Sequence, residues 1–115
     1  MTISEFEIKR YEKIVGQYIE KHRPPAHLRN KVDLAFRIEG QSVIIFEIRE
    51  KWDQPSKKIE SLIAKATFVK NKKLWKIYWQ RADLKWHRYE PKPEVITIEE
   101  FLHVVEEDEY GCFWG

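Results

Sequence analysis

The chain has 115 residues, 43% of them hydrophobic and 35% charged, with a formal net charge of +2; that length suits one hydrophobic core and is short of two, so one domain over 1–115 is expected. A lone cysteine, Cys112, excludes an internal disulfide and gives no cysteine spacing for a metal. No apolar run approaches the roughly 18 residues of a membrane span, and the charged opening MTISEFEIKRYEK lacks a signal-peptide core, so a cytoplasmic protein with no membrane partner is expected.

Thr2 or Ser4 can cap a first helix, and Ser4 with Glu7 has the spacing of a capping box. Ile8, Tyr11, Ile14, Val15, Tyr18 and Ile19 recur at helical period and form one apolar stripe. Gly16 weakens that helix by about 1 kcal/mol relative to alanine. Pro24 and Pro25 end it, because neither can donate to the helical ladder. A basic loop, HRPPAHLRNK, follows.

VDLAFRIEGQSVIIFEIRE predicts a β-hairpin. Val32, Leu34, Phe36 and Ile38 alternate with Asp33, Ala35 and Arg37, and a turn centred on Gly40 carries the apolar face on through Ile44, Phe46 and Ile48. The other face then holds Asp33, Arg37, Glu47 and Arg49, with Asp33 opposite Glu47. KWDQPSKK, interrupted by Pro55, reads as a loop.

SLIAKATFVK, LWKIYWQR and LKWHRY read as three strands of a meander. Tight turns centred on Asn71-Lys72 and Ala82-Asp83 pair Phe68 with Trp75, Ala66 with Ile77, Ala64 with Trp79, and Trp79 with Trp86. Leu62, Ala64, Ala66, Phe68, Trp75, Ile77, Trp79, Leu84 and Trp86 then share a core face, where small alanines make room for large rings. The opposite face collects Lys65, Thr67, Val69, Lys76, Tyr78, Gln80, Lys85, His87 and Tyr89. A slip of one residue would exchange the two faces.

After EPKPEV, Thr97 and Glu100 open a second helix with another capping box, and Phe101, Leu102, Val104 and Val105 give its apolar stripe. The terminal CFWG is too apolar to stay in solvent and is expected to dock as a latch. The fold class is therefore α+β: an N-terminal helix, a five-stranded mainly antiparallel meander and a C-terminal helix.

LWKIYWQRADLKWHRYEP, the following ITIEEFL, the terminal CFWG and the upstream KVDLAFRIEGQSVIIFEIREKW resemble the small bacterial family called domain of unknown function 3024. The resemblance covers roughly residues 5–115 and implies a stand-alone domain with no assigned activity and no catalytic residues to transfer.

Charge is unevenly divided. Residues 1–89 hold 20 Lys/Arg against 11 Asp/Glu, whereas residues 90–115 hold one Lys against eight Asp/Glu. Either the two parts attract each other within the fold, or the basic body meets a polyanion. The candidate ligand-binding residues are Lys65, Lys76, Tyr78, Lys85, His87 and Tyr89: lysines neutralise phosphates, and tyrosine rings offer stacking surfaces for bases. This makes a non-enzymatic binding module for nucleic acid or another polyanion the leading expectation.

Two alternatives stand beside it. Asp33 with Glu47 and Arg49 resembles the D…E-x-K pattern of Mg²⁺-dependent nucleases, in which carboxylates hold the metal and a lysine steadies the attacking water. Arginine in the lysine position departs from that pattern, and cross-strand ion pairs account for the same residues. The acidic, aromatic C-terminus could instead serve a protein partner or a homodimer. His22, His27, His87 and Cys112 show no metal-ligand spacing, Cys112 beside acids is a poor nucleophile, and no cofactor motif is present.

Overall fold

The computed structural model describes residues 4–114, and Thr2 lies outside the described residues. Helix α1 spans Glu5–His22, and the Ser4 hydroxyl accepts from the Glu7 amide at 3.2 Å, as its capping box requires. Tyr11, Val15 and Ile19 form its buried stripe. Arg23 ends the helix in extended geometry ahead of the two prolines, and a single 3-10 turn at Ala26–Leu28 leads into the sheet.

Six antiparallel strands follow: β1 Val32–Glu39, β2 Ser42–Lys51, β3 Gln54–Val69, β4 Leu74–Gln80, β5 Trp86–Arg88 and β6 Glu94–Val95. The first five pair in chain order, so the expected meander is present. The two-residue β6 lies inside what read as a linker and shares the outer edge of β4 with β5. Helix α2 covers Ile98–Glu107, and the Thr97 hydroxyl accepts from the Glu100 amide at 3.1 Å.

Both helices pack on one face of the sheet. Tyr11, Val15 and Ile19 of α1 and Phe101, Leu102 and Val105 of α2 join Leu34, Val43, Ile45, Ala64, Ala66, Trp75 and Ile77 in one core. The Tyr11 and Trp75 rings meet edge to face with centroids 5.1 Å apart. Gly16 faces the Phe36 ring, which a Cβ there would approach to 3.7 Å.

Three features of the sheet depart from the sequence reading. The first hairpin turns on two residues, Gly40-Gln41, with Gly40 at φ +56°. This moves the pairing by one residue: Phe36 faces Ile45 and Leu34 faces Glu47. Ile44, Phe46 and Ile48 therefore lie on the face away from the helices. Val43 through Phe46 are nonetheless all buried, so this run carries no alternation from which its faces could be told.

KWDQPSKK is not a loop. The chain turns at Lys51–Gln54 and re-enters as β3, a 16-residue strand whose first part runs past the end of β4. Pro55 is tolerated there because that stretch has no strand on its second side. Trp52 caps the resulting arm and is 91% exposed.

A β-bulge falls at Ile63, since Ile45 pairs with Ala64 but Phe46 pairs with Leu62. Leu62 consequently leaves the core face assigned to it and joins Phe46 on the open one.

Candidate anion-binding face of the sheet

Pairing between β3 and β4 is as the sequence spacing predicts, with Phe68 opposite Trp75, Ala66 opposite Ile77 and Ala64 opposite Trp79. Lys65, Thr67, Lys76, Tyr78 and Gln80 therefore share the helix-free face. The four-residue loop Lys70–Lys73 keeps the same centre as the expected tight turn, and Lys73 takes the left-handed conformation at φ 52°.

The next hairpin slips by one residue. A five-residue loop, Arg81–Lys85, replaces the two-residue turn; the Leu84 amide donates to the Arg81 carbonyl at 2.8 Å, and Leu84 sits at φ 62°. The Asp83 carboxylate closes the loop, accepting from the Lys85 amide at 2.9 Å and contacting His87 Nε2 at 2.8 Å. Those bonds hold the Asp83 carboxyl below its usual range, the Lys85 amide most strongly and the His87 ring next. Trp79 then faces His87, and Gln80 faces Trp86.

Strand β5 is turned over as a result. Tyr89, expected as an exposed stacking surface, is 2% exposed, and its ring packs on Phe113. Burial, and then the nearby Cys112, push its phenol above the ordinary value. His87 also leaves the open face, and Lys85 belongs to the loop. In exchange, Trp86 and Arg88 arrive on the open face beside Gln80 and Tyr78. Trp86 thus leaves the core face expected of it, and Arg88 is a face residue outside the expected set. The turn-forming Asp83 was the signal that a longer loop was available.

The open face is built as aromatic rings beneath cations. Lys65 Nζ lies 5.0 Å from the ring centroids of both Tyr78 and Trp86. The Arg37 guanidinium lies 4.8 Å from the Phe46 ring. These long side chains cover Ile44 and Phe46, which explains burial on a face that no helix touches. Arg37 is committed to Glu39 and Glu60, both at 2.7 Å. Among the described residues, Lys65 and Lys76 form no ion pair, and desolvation lowers the Lys65 ammonium below the usual lysine value. Lys76, Tyr78 and Arg88, with Pro93 and Glu94, line a small hollow of about 60 Å³ on this face.

The alternative carboxylate site is not arranged as expected. Asp33 pairs with Ile48 rather than Glu47. Arg23 donates to both Asp33 oxygens, at 2.9 and 2.8 Å, and holds that carboxyl below its ordinary value. Glu47 accepts from Arg49 at 3.0 and 3.2 Å along its own strand. Among the described residues no three His, Cys, Asp or Glu side chains are grouped to hold a metal ion, and no helix is long and apolar enough to cross a membrane.

The C-terminus docks as a latch. Asp108 ends α2 in the left-handed conformation, and its carboxylate accepts from the Phe113 and Trp114 amides, both at 2.9 Å. Phe113 is buried, and the Trp114 indole donates to the Val105 carbonyl at 3.0 Å. Burial, reinforced by Asp108, raises the Cys112 thiol above its ordinary value.

A family model described as a domain of unknown function, DUF3024, matches residues 3–115. No curated protein and no solved structure matches the chain.

Proposed function

The chain belongs to the DUF3024 family, and from that premise we propose that it is a non-enzymatic binding module whose open sheet face takes an anionic partner, with single-stranded nucleic acid as the partner class. The observation that carries the reading is Lys65, which spans the Tyr78 and Trp86 rings without a carboxylate partner among the described residues. A phosphate could approach Lys65 and Lys76, which form no ion pair among the described residues, while Glu39 and Glu60 are taken up by Arg37, and the two rings offer stacking surfaces to bases. Arg88 extends the cationic edge. The binding residues are thus Lys65, Lys76, Tyr78, Trp86 and Arg88; Lys85, His87 and Tyr89 lie off that surface.

The nuclease alternative is less well supported, because Arg23 already occupies Asp33 from both oxygens. The adaptor alternative keeps one of its two aromatic anchors: Phe113 is buried, while Trp114 is 39% exposed.

The test is fluorescence anisotropy of a labelled single-stranded oligonucleotide across a salt series. Binding should weaken as salt rises, and Lys76→Glu should reduce both the affinity and the salt slope. Trp86→Ala should cost about tenfold, the value of one stacked base, while Tyr89→Phe changes nothing. Salt-independent binding, or equal affinity in Lys76→Glu, would end the proposal.

A further inference from the structure

At one end of the helical layer, the last turn of α1, the paired ends of β1 and β2, the end of α2 and the C-terminal latch border a half-open cavity of about 340 Å³. Tyr18 and Trp114 supply aromatic wall, and His22, Asp33, Glu47 and Glu106 supply its ionisable edge. Among the described residues, no lysine or arginine lines it. Arg23 and Arg49 hold Asp33 and Glu47 without themselves lining the cavity.

Glu47 interrupts an apolar row. On the helix-facing side of β2 the chain places Val43 and Ile45, both fully buried, and then a carboxylate opposite Leu34. Its side chain is 20% exposed, so the charge is only partly withdrawn from water. Arg49 engages one oxygen only: both of its contacts go to Oε1, and Oε2 has no hydrogen-bond partner among the described residues. Across the cavity, Glu106 is similar. His22 Nε2 lies 3.2 Å from its Oε1, while the imidazole stacks on Tyr18 with centroids 4.3 Å apart. Two of the three lining carboxylates, Glu47 and Glu106, thus each keep one oxygen without a hydrogen-bond partner among the described residues, beside the Tyr18 and Trp114 rings.

We infer that this cavity is a binding site for a small organic cation, a protonated amine carried on an apolar body. The ammonium would donate to the free oxygens of Glu47 and Glu106 in charge-assisted hydrogen bonds, and the Trp114 ring would attract the same charge. The apolar body would lie against Pro24, Val32 and Leu34. The site is separate from the open sheet face and does not depend on the function proposed there.

The experiment titrates benzylammonium into the folded chain and follows the Trp114 indole N–H resonance, with benzyl alcohol as the neutral comparator of similar shape. Saturable shifts are expected for the amine and not for the alcohol. Glu47→Gln and Glu106→Gln should each weaken amine binding about tenfold, as losing one charge-assisted bond predicts, with unfolding midpoints near that of the parent. The inference is overturned if the amine does not saturate, if the alcohol binds equally well, or if both glutamine variants bind the amine as the parent does.

Discussion

The Tyr89 ring lies against the Phe113 ring with centroids 4.8 Å apart and planes inclined by 43°. This contact joins the end of β5 to the C-terminal latch and keeps Tyr89 from solvent. Phe113→Ala should therefore destabilise the fold by about 3 kcal/mol, as expected for truncating a buried ring. Urea denaturation would measure it. Tyr89→Phe, which keeps the ring, should cost less than about 1 kcal/mol.

Gly16 sits in mid-helix with no need for its conformational freedom. A methyl group there would meet Phe36 at 3.7 Å, ordinary van der Waals contact. Gly16→Ala should raise stability by about 0.5–1 kcal/mol through helix propensity. A higher midpoint at unchanged denaturant slope would show it.

Leu84 is 77% exposed and sits at φ 62°, so its side chain gains little packing in return for a conformation that L-residues disfavour. Leu84→Gly removes that strain, and part of the gain is lost to the greater freedom of the unfolded chain. A net stabilisation of about 0.5 kcal/mol is expected from thermal unfolding.

The Arg23–Asp33 pair ties the end of α1 to the start of β1 through two parallel hydrogen bonds. Asp33→Asn should cost about 1–2 kcal/mol at neutral pH. Because Arg23 lowers the folded-state value of Asp33 below 3.8, the stabilisation is fully present above that pH and fades as pH falls through the folded value. The gap between parent and variant should accordingly close in acid, which denaturation curves at descending pH would reveal.

Much of the architecture is legible in the residues, but unevenly. Both helices could be placed because capping boxes and apolar stripes agree with each other at Ser4–Glu7 and Thr97–Glu100. The β3–β4 pairing could be placed because Ala64 and Ala66 need large partners, and only one register gives them Trp79 and Ile77. The run Val43–Phe46 offers no such constraint, being buried on both sides, so a one-residue difference at Gly40-Gln41 decided the outcome. The β4–β5 turn was hidden for another reason. Its extra length depends on the Asp83 carboxylate, a turn signal present in the residues, but also on a left-handed leucine, which nothing in the composition announces. Half of the expected binding face survives that slip. Trp86 and Arg88 enter it through the same displacement that removes His87 and Tyr89.

Trp75 is 2% exposed in the core, while Trp52 is 91% exposed at the end of the β2–β3 arm. These two indoles give the protein a built-in pair of optical reporters at opposite extremes of polarity. Acrylamide should quench the red-shifted emission of Trp52 first and leave a blue-shifted component from Trp75. The other three indoles, Trp79, Trp86 and Trp114, lie between these extremes, so replacing them with phenylalanine would isolate the two signals, one for the arm and one for the interior.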